Sequence, residues 1–274
     1  DIESNEITPV SPWYFFTKNH IGEISKYQEW PQINTIFPKN VTGIVTARDD
    51  FVIDFSKEEL KTRIMQFRNP SLSDEIIAKS FKLKDTRGWK LGTARKKLAT
   101  DDEWDRYFEK ILYRPFDVRE IYYSQDMIDW GRPEFMRHML QGENIGLCLA
   151  KRVEGNRDWQ HAFISDKLIT HHSVSMKEVN TLFPLYLYPS TAQGELFGGA
   201  FSGREANLMP GLLDQLSAAS GRQVTPEEVL SYIYGVFYSN LYREKYAEAL
   251  RIDFPRVPFT GSAEVFAQMS ALGE

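Results

Sequence analysis

Three places in this chain carry the same helix-start code, and they bound what can fold between them. Ser56 with Glu59, Thr100 with Glu103 and Thr225 with Glu228 each set a hydroxyl three residues ahead of a carboxylate. This is the capping-box pattern, in which side chains satisfy the free amides of a first helical turn. Leu60, Ile64 and Phe67 follow the first. Trp104, Tyr107, Phe108, Ile111 and Leu112 follow the second. Pro226 and then Val229, Tyr232, Ile233, Val236 and Phe237 follow the third. Apolar residues at that spacing form one stripe of a 3.6-residue period, so helices are predicted near 57–67, 101–112 and 226–238. Pro133 and Gly142 bracket a further helix near 133–140, Gly221 closes one near 208–219, and a last one covers about 241–250.

The segments between read as strands. GIVTARDDFVIDF (43–55) gives two short strands around Asp49-Asp50, a hairpin candidate. VREIYYS (118–124), NIGLCLAKRV (144–153), HAFISD (161–166) and LFPLYLYP (182–189) are rich in β-branched and aromatic residues and bounded by Gly, Pro, Asn and Asp. Pro184 and Pro189 make the last an edge or terminal strand. The expected fold class is therefore α+β, a β-rich mixed-sheet body with peripheral helices over residues 1–190. A helical C-terminal subdomain over 191–274 follows, entered through the flexible stretch STAQGELFGGAFSG. With 274 residues and 42% hydrophobic content the chain can build a real core, which excludes a wholly disordered chain.

The lone cysteine, Cys148, excludes an internal disulfide framework and any multi-cysteine zinc site, and fits a reducing, cytoplasmic home. It lies within an apolar strand, where an inert core thiol is expected. No run of 18 apolar residues exists, so no membrane span is expected. The opening DIESNEITPV is polar and acidic, unlike a signal peptide. Without an initiator Met, the chain reads as a segment of something longer or a processed product.

Net charge is −5, which by itself does not point to nucleic acid. Its distribution is more informative. KSFKLKDTRGWKLGTARKK (79–97) holds eight Lys/Arg against one Asp, a local +7 that leaves −12 for the rest. A concentrated basic stretch on an acidic body suits an anionic polymer, and equally a solvated loop or strand edge. Catalytic signatures are sparse. There is no phosphate loop, no GxGxxG after a strand, no Gly-x-Ser-x-Gly elbow and no His-Glu-x-x-His. His171-His172, with His161 nearby, leaves a weak metal or hydrolase option through His161, His171 and Asp166. Asp49-Asp50 and Asp101-Asp102 fit turn and helix-start roles.

YRPFDVREIYY (113–123), RPEFMRHM (132–139), NIGLCLAKR (144–152), WQHAFISD (159–166) and FPLYLYP (183–189) occur in that order, followed by SYIYGVFYSNLYREKYAEALRIDFPRVPF (231–259). This series resembles the C-terminal specificity region of type ISP and related single-chain restriction-modification enzymes, from about Thr42 onward. The methyltransferase's Asn-Pro-Pro-Tyr motif is absent, Asn69-Pro70-Ser71 not matching it, and the Walker motifs and a nuclease carboxylate cluster are absent too.

The resemblance implies a target-recognition module whose partners are double-stranded DNA and a methyltransferase domain of the same polypeptide. No cofactor is expected in this segment. S-adenosylmethionine, and ATP with Mg, would belong to the parent protein. Such a module needs cations on phosphates and polar groups on base edges. The expected phosphate contacts are Lys82, Lys84, Arg87, Lys90, Arg95, Lys96, Lys97 and Arg137. The expected base contacts are Lys151, Arg152, Arg157 and Gln160, around the turn KRVEGNRDWQH. Trp89 packs either on a sugar or beneath the basic loop. Arg114, Asp117 and Arg119 read as an ion-paired strand start. The rival reading from another class is a scaffold that couples the methyltransferase and motor domains without reading bases.

Overall fold

The computed structural model describes residues 21–155, 157–189 and 203–274, with side chains from residue 25 onward. The linker expected at 190–203 and the turn residue Asn156 fall outside this set, apart from Gly203. Among the described residues helices and strands are mixed as the α+β reading expects. No helix is long and apolar enough to cross a membrane.

The strands are β1 (Val41–Thr42), β2 (Ile53–Asp54), β3 (Phe108–Arg114), β4 (Asp117–Tyr122), β5 (Gly146–Ala150), β6 (Ala162–Ser165), β7 (Leu168–Ile169) and β8 (Asn180–Pro184). They form two four-stranded sheets, in the orders β2-β4-β3-β7 and β1-β8-β5-β6. β3 and β4 are an antiparallel hairpin, with Phe108 opposite Tyr122 and Arg114 opposite Asp117. β7 joins the other edge of β3 in parallel, with Ile111 opposite Leu168. The core is built on this sheet. Phe51, Leu60, Ile64, Phe67, Ile111, Ile121 and Tyr122 are all buried in it.

The chain divides into two compact units, and the division is not a single cut. One unit holds residues 40–149 and 163–205. The other gathers residues 1–39, 150–162 and 206–274. A boundary near residue 190 misses this, because aromatic packing ties the early helix to the late ones. Tyr27 stacks on Tyr246 at 4.7 Å and meets Trp30 edge-on at 5.6 Å. Arg256 donates through Nη1 to the carbonyls of Gln28 (3.0 Å) and Trp30 (2.6 Å).

Two of the capping boxes' helices form as expected, Lys57–Arg68 and Pro226–Tyr238. At Thr225 both reciprocal bonds are made. The third does not form. Thr100 Oγ1 donates to the carbonyls of Lys96 and Lys97, closing the preceding Leu91–Ala99 helix instead of opening a new one. Arg68 caps the same end, taking the carbonyls of Leu98 (3.2 Å) and Asp101 (3.0 Å). Glu103 turns to pair with Arg106. One 3-10 turn, Trp104–Tyr107, leads into β3, whose β-branched and aromatic residues meet a strand partner on each edge.

The hairpin expected at 43–55 is also replaced. Ile44 and Val45 bond outward to Ile169 and Trp130, while β2 pairs with β4, so the two halves serve different partners. Between them Asp49–Val52 forms a single helical turn. Gly43 is required here, since a Cβ would lie 2.3 Å from the carbonyl oxygen of Thr170. The helix near 133–140 is a short Pro133–Met136 turn continued as a 3-10 turn, and the one near 241–250 is two helices, Asn240–Lys245 and Ala247–Ile252. The helix near 208–219 forms as Leu212–Ser220, closed by Gly221 at φ +65°.

In the helical unit Pro226–Tyr238 packs on Ala263–Gly273 at glycine distance. A Cβ at Gly235 would sit 2.6 Å from the Met269 carbonyl oxygen. Gly235→Ala is expected to lower stability by roughly 1–3 kcal/mol, because overpacking outweighs alanine's better helix propensity. Urea unfolding followed by far-UV circular dichroism checks this. An unchanged or raised midpoint would show that the two helices can separate at no cost.

Candidate nucleic-acid interface

The basic segment is neither a loop nor a strand edge throughout. Residues 81–90 turn at the surface, and Leu91–Ala99 is a helix that buries Leu91, Ala94, Arg95 and Leu98. The helical period therefore sorts its cations. Arg95 faces inward and is a correction to its expected place on phosphate. It is 7% exposed, pairs with Asp74, and donates to the carbonyls of Phe67 (2.8 Å), Asn69 (2.7 Å) and Leu72 (2.7 Å). Those bonds hold the Asp74–Ser80 helix and the end of Lys57–Arg68 against it, and leave no guanidinium nitrogen for DNA. Lys82, Lys84, Arg87 and Lys96 stand exposed, with no ion-pair partner among the described residues. Lys90 and Lys97 are also exposed but already meet Asp85 (3.4 Å) and Asp126 (2.5 Å).

Lys90 and Lys97 border an open cleft of about 320 Å³, lined by Lys90, Thr93 and Lys97 on one wall and by Gln125, Asp126, Asp129 and Trp130 on the other. Trp89 is its buried floor. Trp89 Nε1 donates to the Asp126 carbonyl at 2.7 Å, and the Arg48 guanidinium stacks on its ring at 4.0 Å. Arg48 in turn binds the carbonyls of Thr46 and Met127 (both 3.0 Å) and the Asp129 carboxylate (2.7 Å). Trp89 thus takes the packed role rather than the sugar-facing one. The aromatic that does face solvent is Trp130, 57% exposed. The 125–130 wall was not anticipated. Its signal was a tryptophan and two aspartates directly after a strand and ahead of Gly131-Arg132-Pro133.

Arg137 also serves the fold. Its Nη1 donates to the carbonyls of Tyr188 (2.6 Å) and Pro189 (3.0 Å) and to Gln141 Oε1 (3.0 Å), and its Nε to Glu134. Beside it, buried His138 accepts the Tyr188 amide on Nδ1 at 2.9 Å. Burial first, and then the Arg137 charge, press this imidazole down to about 4. Arg114, Asp117 and Arg119 form the expected structural group, with Arg119 bidentate on Asp117.

The expected base-contacting residues lie in the other unit, on the 150–162 loop. Val153 and Trp159 are its buried anchors. Val153 donates its amide to Arg251 at 2.9 Å, and Trp159 meets Phe237 edge-on at 5.5 Å. Arg251 pairs with Asp158 at 3.6 Å, and Lys151 with Asp253 at 3.7 Å. Arg152 and Gln160 are exposed between these anchors. Arg157 is half-buried and donates to the Glu154 carbonyl at 3.2 Å. The 79–97 segment and this loop thus belong to different units.

His171, His172 and Asp166 each have another neighbour. His171 packs edge-on against His172 at 4.8 Å, His172 Nδ1 lies 3.1 Å from the Glu178 carbonyl, and Asp166 pairs with Lys167. Among the described residues no three His, Cys, Asp or Glu side chains gather for a metal. Cys148 is fully buried, and burial pushes its thiol up to about 12, so it is a core residue.

The chain belongs to the type ISP C-terminal specificity domain family, whose model matches residues 35–274. Solved structures share its fold, three of them bound to DNA or a DNA mimic. One is a DrdV–DNA complex (TM-score 0.64, 23% identity), matching 87% of this chain and 22% of that one. A second is the type ISP restriction-modification enzyme LlaGI, as a nuclease-deletion mutant with a DNA substrate mimic (0.62, 18%), matching 99% and 25%. A third is the ATP-dependent type ISP enzyme LlaBIII bound to DNA (0.66, 22%), matching 90% and 16%. The chain therefore spans a quarter or less of the length of these proteins. No curated protein matches the sequence.

Arg95→Ala strands three carbonyls and Asp74, so it is expected to cost about 2–4 kcal/mol of stability. Its salt slope for any polyanion should stay unchanged, whereas removing a cation that sits on phosphate would flatten that slope. For His138 the folded group resists protonation down to about 4 while the unfolded chain takes a proton near 6.5. Its contribution to stability is complete above 6.5 and is lost progressively as pH falls toward 4. Thermal melting across that window should show the decline, and His138→Asn should reduce it. Equal slopes in both proteins would remove His138 as the cause.

Proposed function

We propose that this chain is the DNA target-recognition domain of a restriction-modification enzyme. It binds duplex DNA sequence-specifically and positions a target adenine for an N6-adenine methyltransferase domain of the same polypeptide. The observation that carries this reading is the specificity-domain match over residues 35–274. The geometry supports it. Exposed Lys82, Lys84, Arg87 and Lys96 lie on the same basic segment that supplies Lys90 and Lys97 to the cleft wall, and would hold phosphates. In the other unit, Arg152 and Gln160 stand exposed on an anchored loop beside half-buried Arg157, with the side-chain types that read guanine and adenine edges. Methyl transfer to a base held out of the helix needs S-adenosylmethionine, which would sit in that methyltransferase domain.

The test is retention of a randomised duplex pool by the 274-residue chain, with sequencing of what is held and a salt titration. A short enriched motif and an affinity falling steeply with salt are expected. Replacing Lys82, Lys84, Arg87 and Lys96 together by alanine should reduce the slope by about one for each phosphate no longer neutralised. Arg152→Ala and Arg157→Ala should relax the motif, each at about 1–3 kcal/mol, with little change in slope. Absence of retention even near 50 mM salt, where phosphate binding is strongest, would replace this reading with that of a domain-coupling scaffold.

A further inference from the structure

The turn joining β3 to β4 is only two residues long, Pro115 and Phe116, with Arg114 directly opposite Asp117. Phe116 takes φ +61°, the left-handed region that glycine and asparagine enter easily and a bulky side chain does not. Its ring is 92% exposed, so burial returns almost nothing for that strain. The ring's neighbour is Phe163, edge-on at 5.5 Å. Two unfavourable features therefore meet at one residue, at the tip of the hairpin.

That tip is braced. Arg119 holds Asp117 through Nε and Nη2, and its guanidinium is stacked between Phe55 (4.1 Å) and Tyr113 (4.0 Å). Tyr113 donates its hydroxyl to Asp49 at 3.0 Å, and Arg114 donates to the Tyr113 carbonyl at 2.6 Å. Strained residues persist only where their surroundings over-determine them, and they concentrate where a ligand is met. Arg114 and Arg119 both stack on Tyr113 at the base of the tip, with Asp117 and Asp49 as their carboxylate neighbours. A partner with aromatic faces to stack on matches an exposed ring held at a fixed tip.

We propose that Phe116 is a wedge that enters the base stack of the bound duplex. Phenylalanine is among the side chains that unstack a base step in this way, and a kink at such a step lets more of a protein surface meet the DNA. The proposal rests on the DNA-recognition reading above. It adds an anchoring point that charge alone does not locate.

The test compares the wild-type chain, Phe116→Asn and Phe116→Trp on a fluorescein-labelled duplex from the retained pool, and on the same duplex carrying one central mismatch. A wedge gains where the stack is already opened, so wild type should bind the mismatched duplex more tightly. Phe116→Asn should lose about tenfold in affinity for the matched duplex, the scale of one aromatic–base stack, and should lose the mismatch preference. Its melting temperature should hold or rise, because asparagine accepts the left-handed backbone. Phe116→Trp should keep both affinity and preference. If Phe116→Asn binds both duplexes as wild type does, the wedge is overturned and the DNA reading stands. If wild type binds no duplex at low salt, the DNA reading fails first and the wedge with it. Unchanged DNA affinity with lost association to another domain of the polypeptide would assign the tip to a protein partner and overturn the proposal.

Discussion

The structure of residues 40–149 depends on β3 having a partner on both edges. A strand in the middle of a sheet can leave none of its backbone groups unpaired, and β3 satisfies them through β4 on one side and β7 on the other. Both the proposed wedge and the cleft of this unit inherit their positions from that pairing. The tight turn at its end carries Phe116 into solvent. The return strand β4 delivers the chain to Gln125–Trp130, the wall of the cleft. Had residues 104–112 formed the helix their spacing allows, neither the tip nor that wall would exist where it does.

Arginine and lysine divide the work in this molecule. Arg48, Arg63, Arg68, Arg95, Arg137 and Arg256 each tie their own segment to backbone carbonyls of another, and Arg48, Arg63 and Arg95 add a carboxylate. The planar fork with five donors suits several fixed acceptors at once, which an ammonium on a flexible stem does not. The cations left facing water in the 79–97 segment are mostly lysines. A count of basic residues therefore overstates the surface available to an anion.

This explains which parts of the fold and site were legible. Helices 57–68 and 226–238 were, because cap and stripe agree within one local segment. Thr100 was not, because a hydroxyl can close one helix as readily as open the next, and the choice was made by Arg68 from 30 residues away. Arg95 was not, because nothing local shows that the Leu91–Ala99 helix turns that residue toward Asp74 and the Phe67 carbonyl. The 125–130 wall carried only a weak signal, since it becomes a wall through Trp89, whose indole it accepts. The two-unit division was hidden for the same reason. Tyr27 meets Tyr246 through space, not through any pattern along the chain.

On the proposed function, the 150–162 loop would keep reading and folding apart. Its anchors are buried and apolar, Val153 and Trp159, with Ala162 bonded through its carbonyl to Tyr238 at 2.8 Å. Arg152 and Gln160 stand outward beside those anchors, and an exchange at either touches no core residue. A recognition surface with that arrangement can change which base edge it reads at little cost in stability, because surface substitutions away from caps and cores usually stay within about 0.5 kcal/mol. Phe116 obeys the opposite rule. Its position is fixed by a two-residue turn and an arginine–aspartate brace, so it can supply a constant mechanical grip but not a variable one. Sequence choice would then reside in the loop, and deformation of the duplex in the hairpin.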